Sequence, residues 1–142
     1  MTAAFLLDAS AYWRLMQNQE LSDTWAEAID AGELGVCEPT RTEILYSARS
    51  AEDRDQMSSD LDQLCERVPV PKTAWQWIET AQYRLTLVGA HRSAGVVDLL
   101  VCATAAARGL TVLHDDRDYE AVARVLPDLG QHRVTRTGPH GI

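Results

Sequence analysis

The sequence is short of several things, and each shortage removes a class of function. Lysine is almost missing: Lys72 is the only one among 13 basic residues, which face 21 acidic ones for a formal net charge of −8. Unspecific wrapping of nucleic acid needs a basic face that releases counterions, so that mode is disfavoured. A site that gathers acids around a metal remains open, because arginines elsewhere can still meet phosphates. No apolar run reaches the ~20 residues of a membrane-spanning helix, and the longest, Val96 to Ala107, is interrupted by Asp98. The start, Met1-Thr2-Ala3-Ala4-Phe5-Leu6-Leu7-Asp8, carries no basic residue and meets an acid too early for a secretory signal, so a cytoplasmic protein without membrane attachment is expected. Cysteine is limited to Cys37, Cys65 and Cys102, widely spaced among apolar neighbours. That pattern suits neither a disulfide framework nor a zinc site, and it predicts buried thiols. Without a glycine-rich phosphate loop, nucleoside triphosphates are poor candidates. No internal repeat or low-complexity linker is present.

What the chain does hold is a series of short apolar runs alternating with helical patterns. A length of 142 residues suits one domain. Phe5-Leu6-Leu7 reads as a strand ending at Asp8, followed by a helical stretch through Tyr12, Leu15 and Met16 and then Leu21, Trp25, Ala28 and Ile29, stopped at Ala31-Gly32. Leu34 to Cys37 is a second strand, and Pro39 to Glu43 opens a helix with Ile44, Leu45 and Ala48 on its apolar side. A polar helix over Asp53 to Cys65 precedes a brief strand at Val68-Pro69-Val70. Pro71 is placed to begin a long amphipathic helix that ends at Gly89. An apolar helix carrying Asp98 then stops at Gly109, before a strand over Leu110 to Leu113. A last helix, Tyr119 to Leu126, is closed by Pro127, with an edge strand at Arg133-Val134-Thr135. Such alternation predicts an α/β fold, a three-layer α/β/α domain with a short, mainly parallel central sheet over residues 1–137, and 138–142 as a frayed tail.

In such a sheet, ligands bind beyond the carboxyl ends of the strands, where strand order reverses. Asp8, Glu43, Asp98 and Asp116 are all expected near that edge. Each has an innocent explanation. Asp8 and Asp116 could cap helices, and Thr40-x-x-Glu43 matches a capping box. Asp98 is harder to dismiss, because a carboxylate between Val97 and Leu99-Leu100 must be paired, capped or bound to a cation. Four acids at one sheet edge repel, and a hard divalent cation such as Mg²⁺ or Mn²⁺ is the usual remedy. With no Ser or Cys nucleophile matched to a His, the chemistry favoured is metal-assisted hydrolysis of a phosphoester.

These residues also carry a resemblance. Leu6-Leu7-Asp8-Ala9-Ser10-Ala11, Arg41-Thr42-Glu43-Ile44-Leu45-Tyr46-Ser47-Ala48-Arg49, Val97-Asp98-Leu99-Leu100-Val101-Cys102-Ala103-Thr104-Ala105 and Leu113-His114-Asp115-Asp116-Arg117-Asp118-Tyr119 resemble the successive motifs of PIN-domain proteins, in particular the VapC-type toxins of bacterial toxin–antitoxin pairs. The resemblance spans nearly the whole chain. It implies a Mg²⁺- or Mn²⁺-dependent endoribonuclease in which Asp8, Glu43, Asp98 and Asp116 hold the metal and orient the attacking water. Asp118 falls where the family often has an additional acid, and Ser10 where it has a hydroxyl near the metal. It further implies a transfer or ribosomal RNA substrate, a homodimer and a small VapB-like antitoxin. One departure is His114, which stands where the family commonly has Thr or Ser.

Two other readings compete. A phosphatase would use Asp8 as covalent nucleophile, although Ser10 stands where its partner acid is expected. A binding module would use the same acids only as helix caps. Arg14, Arg41, Arg49, Arg92 and Arg117 are candidate phosphate contacts.

Overall fold

The computed structural model describes residues 2–140; Met1 and the last two positions of the expected tail, Gly141 and Ile142, lie outside the described residues. Five parallel strands form one sheet in the order β3-β2-β1-β4-β5. They are β1 (Phe5–Leu7), β2 (Leu34–Val36), β3 (Glu66–Arg67), β4 (Thr111–His114) and β5 (Gly130–Arg133). Among the described residues seven helices connect them: α1 (Ala9–Gln17), α2 (Gln19–Asp30), α3 (Glu38–Tyr46), α4 (Ala51–Leu64), α5 (Ala74–Leu87), α6 (Val96–Arg108) and α7 (Arg117–Val125). The first strand therefore lies in the middle of the sheet, and order reverses between β1 and β4.

Side chains alternate across a strand, and β1 shows what that does. Phe5 and Leu7 enter one core with Trp25, Leu34, Val36, Ile44, Leu61 and Leu113. Leu6 enters the other with Ile78, Leu85, Leu99, Val101, Val112 and Tyr119. The sheet is thus covered on both faces, as an all-parallel sheet requires. Among the described residues no helix is long and apolar enough to cross a membrane. Gly109 ends α6 in the left-handed conformation at φ 67°, which a side chain resists. The three cysteines are free and buried, as expected.

Several boundaries differ from the expectations. The first helical stretch is two helices, parted where Asn18 caps α2 by accepting from the Leu21 N–H. β2 stops before Cys37, which is the N-cap of α3. β3 covers Glu66 and Arg67 rather than Val68 to Val70: the Val68 N–H still bonds the Val36 carbonyl at 2.9 Å, but Pro69 has no N–H to continue the ladder. Pro71 lies in a turn, its carbonyl accepting from the Ala74 N–H, and α5 begins at Ala74 behind Thr73. β4 includes His114 and starts after Leu110, and α7 begins two residues early because Asp116 caps it. The edge strand is Gly130–Arg133, not Arg133 to Thr135. A Cβ at Gly130 would lie 3.3 Å from Thr111 Oγ1, a snug approach that glycine eases. At the chain's end, Pro139 and His140 line a cleft with Glu27, Ala28, Ala31 and Glu33.

Candidate active site

Asp8 follows β1 at the switch point. Its N–H bonds the Leu113 carbonyl at 2.9 Å, which extends the β1–β4 ladder by one step and fixes where its carboxylate begins. The side chain caps α1, as the innocent reading held, and does more. Oδ2 accepts from the Ser10 N–H at 3.0 Å and from Ser10 Oγ at 2.6 Å. Oδ1 accepts from the Tyr119 hydroxyl at 2.6 Å. Three donors thus converge on a carboxylate that is only 5% exposed. Ser10 Oγ in turn accepts from the Asp115 N–H at 2.9 Å, so the hydroxyl stitches the end of β1 to the end of β4.

Asp98 sits at the third position of α6 and is far less well satisfied. Its Oδ2 accepts from the Gly95 N–H at 3.4 Å, a long cap, and its Oδ1 lies 3.2 Å from the same Tyr119 hydroxyl. That hydroxyl has one proton to give, and the shorter bond goes to Asp8. Burial pushes the Asp98 carboxyl above the ordinary aspartate range, the Asp8 charge adds to this, and the Gly95 and Tyr119 contacts pull it back only in part. A proton or a cation is what this acid lacks.

Tyr119 was not among the expected site residues. It is 1% exposed, and burial, with the charges of Asp8 and Asp98, pushes its phenol well above its usual value, so it remains a donor. Its ring lies against His114, centroids 5.0 Å apart. His114 is fully buried; its Nδ1 accepts the Asp116 N–H at 3.1 Å and its Nε2 faces Gln131 Oε1 at 2.6 Å. Those two partners select the neutral Nε2–H tautomer, in keeping with burial pushing the imidazole down. In place of a hydroxyl, His114 therefore braces the turn that presents Asp116.

Asp116 caps α7, its Oδ1 accepting from the Asp118 N–H at 2.9 Å. Its charge reaches Asp98, raising it, and reaches Asp118, which burial raises first. Glu43 lies mid-helix in α3. The Thr40-x-x-Glu43 capping box does not form, because α3 begins at Glu38 behind Cys37. Glu43 is free for another role, and its carboxyl is raised by partial burial and then by the Asp8 and Asp98 charges. Asp8 and Asp98 therefore act on Glu43, and Asp8 and Asp116 on Asp98, but only Asp8 and Asp98 touch a common group. Among the described residues no three His, Cys, Asp or Glu side chains converge closely enough to hold an ion as they stand.

The arginines divide. Arg14 Nε meets Asp115 Oδ2 at 2.6 Å, and Arg133 meets Asp115 and Glu120. Arg41 is buried, paired with Asp62 at 3.1 Å and bonded to Ser58, so it belongs to the α3–α4 packing. The side chains of Arg49, Arg92 and Arg117 are exposed.

Comparison with known proteins gives a consistent result. Residues 5–125 match the family model described as PIN domain. Ribonuclease VapC6 of Mycobacterium tuberculosis is 54% identical over 101 residues, covering 71% of this chain and 80% of the relative. In structure, VapBC-1 from nontypeable Haemophilus influenzae superposes with a TM-score of 0.75 at 16% identity, over 93% of this chain and 98% of that one. VapBC-5 from Mycobacterium tuberculosis, described as a member of the VapBC family of toxin-antitoxin systems, has a TM-score of 0.63 at 23% identity, over 92% and 98%.

Proposed function

Since the chain belongs to the PIN-domain family, we propose that it is the toxin of a toxin–antitoxin pair and acts as a Mg²⁺- or Mn²⁺-dependent endoribonuclease. The observation that carries this reading is the Asp8–Tyr119–Asp98 bridge at the reversal of strand order, with Asp98 left short of a partner. The relatives named above as ribonuclease and toxin–antitoxin protein support it.

The donor set fits a hard cation, since every candidate ligand is a carboxylate oxygen. Mg²⁺ commonly uses one or two carboxylates, keeping waters and taking substrate phosphate oxygens for the rest. A closed cage of three side chains is therefore not required. Asp98 and Asp8 would hold the ion, with Glu43 and Asp116 completing its surroundings. When bound, the ion supplies Lewis-acid activation of a water and neutralises charge on the phosphodiester. The chain's own residues do the rest. Ser10 and Tyr119 fix the orientation of Asp8. Glu43, whose carboxyl partial burial raises above the ordinary glutamate range, would take a proton from the attacking water. Asp118, in the first turn of α7, adds negative charge beside Asp116. Exposed Arg49, Arg92 and Arg117 are available for the phosphates of a transfer or ribosomal RNA. A homodimer and a VapB-like antitoxin complete the proposal. The cleft lined by Tyr12, Trp13, Met16 and Met57 together with Ser47, Arg49 and Asp53 offers that partner a seat with apolar and charged parts.

The residue two positions after Asp8 is Ser10, whose hydroxyl donates to Asp8 rather than supplying the second acid a phosphatase would need, so the phosphatase reading is not favoured. The test is cleavage of total RNA by the purified protein with Mg²⁺ or Mn²⁺, against EDTA and an Asp98→Asn variant. Cleavage only with metal and only by the parent is expected. Full activity in EDTA or in the variant would refute the mechanism, and no cleavage under any condition would favour a catalytically silent interaction module.

A further inference from the structure

The Tyr119 hydroxyl touches two of the site's acids, at 2.6 Å from Asp8 Oδ1 and 3.2 Å from Asp98 Oδ1. Those acids arrive from different elements, one at the end of β1 and one at the start of α6, and among the described residues no other hydrogen bond joins their side chains. Tyr119 comes from a third element, α7, whose first turn is fixed by the Asp116 cap and whose ring position is fixed by His114. Because the ring is buried and cannot swing away, the hydroxyl is a fixed point between two anions that would otherwise part.

We propose that Tyr119 is a positioning residue for the metal: its hydroxyl holds Asp8 and Asp98 side by side before an ion arrives, so the ion meets a formed pair rather than two repelling carboxylates. This rests on the metal-dependent reading above. The single proton is shared unequally, with the shorter bond to Asp8 and the longer to Asp98. A ligand's outer partner of this kind is typically worth 10–100-fold in metal affinity. Asp98 keeps its Gly95 contact throughout, and Asp8 keeps both bonds from Ser10, so the pair is loosened rather than dismantled when the hydroxyl is removed.

The experiment is calorimetric titration of Mn²⁺ into metal-free parent and Tyr119→Phe, with melting curves in EDTA and in excess Mn²⁺. The phenylalanine keeps the ring against His114 and removes only the oxygen. The expected result is a folded variant whose Mn²⁺ dissociation constant rises about tenfold or more, with a correspondingly smaller rise in melting temperature on adding Mn²⁺. An unchanged dissociation constant in a parent that does bind Mn²⁺ would overturn this inference alone. No Mn²⁺ binding by the parent would overturn the metal-dependent reading and this inference with it. A variant that fails to fold in EDTA would assign the hydroxyl to architecture and also overturn the proposal.

Discussion

Replacing Asp98 by Asn should make the metal-free protein more stable while abolishing its response to metal. Two oxygens lying 2.6 and 3.2 Å from one hydroxyl oxygen are at most about 6 Å apart, and two unit charges at that separation repel by ~3 kcal/mol at an effective dielectric of about 20. Asp98 is partly exposed and the Tyr119 dipole offsets part of this, so the net gain expected for Asp98→Asn is ~1–2 kcal/mol. The amide oxygen can still accept the Gly95 N–H, and at 3.4 Å that cap is too long for its weakening to reverse the sign. The gain has a pH signature. The folded-state pKa of Asp98 is raised, so its proton is bound more tightly in the folded protein than in the unfolded chain. The stability of the parent is therefore fullest below the ordinary aspartate pKa and falls as pH rises through the elevated value. A protonated Asp98 resembles Asn, so parent and variant should converge in acid and separate toward neutral pH. Urea unfolding in EDTA across that range measures the difference. With Mg²⁺ in excess the order should invert, because only the parent gains binding free energy. A variant less stable than the parent in EDTA at neutral pH, or a difference that does not shrink in acid, would refute the reasoning.

Other substitutions probe the frame around the site. Gly35→Ala would place a Cβ 2.6 Å from Val68 Cγ2 and 3.2 Å from Ala3 Cβ, an overpacking that should destabilise by ~1–3 kcal/mol in thermal or urea unfolding; a neutral result would show that β2 and β3 can separate freely. Arg133→Ala should cost about 1–3 kcal/mol by unpairing a side chain shared by Asp115 and Glu120. Arg14→Ala should cost under ~1 kcal/mol, since Arg14 is 59% exposed although its bond to Asp115 is short; equal costs in unfolding experiments would refute this ranking by burial. The native protein should resist a thiol reagent in mildly alkaline buffer, because burial pushes Cys65 up to about 12 and raises Cys37 and Cys102 as well. All three thiols should react once the chain is unfolded, and rapid native reaction of any one would show that its cover opens.

The alternation of strands and helices was legible because apolar runs as short as Phe5-Leu6-Leu7 end on a polar residue at a predictable place. Asp98 was legible for the same reason, as an acid in an apolar run. The Thr40 and Glu43 spacing misled, since the capping-box pattern can equally fall inside a helix whose cap is an unremarkable Cys37. β3 was misplaced because the apolar Val68-Pro69-Val70 outweighed Glu66 and Arg67, whose edge position tolerates charge. Tyr119 has no local signal for its bridging role, because its partners, Asp8 and Asp98, lie 111 and 21 residues away. The sequence signal it did carry was its place three residues after a capping Asp, where the first turn of a helix points inward.

The position of β1 at the centre of the sheet has a consequence for a growing chain. Its first neighbour, β2, is made early, but its second, β4, is made only after more than a hundred further residues, and the Tyr119 that completes the bridge follows β4. Until that point Asp8, Glu43 and Asp98 are present without the strand and helix that bring them together. The arrangement of acids is therefore not assembled until most of the chain has been made.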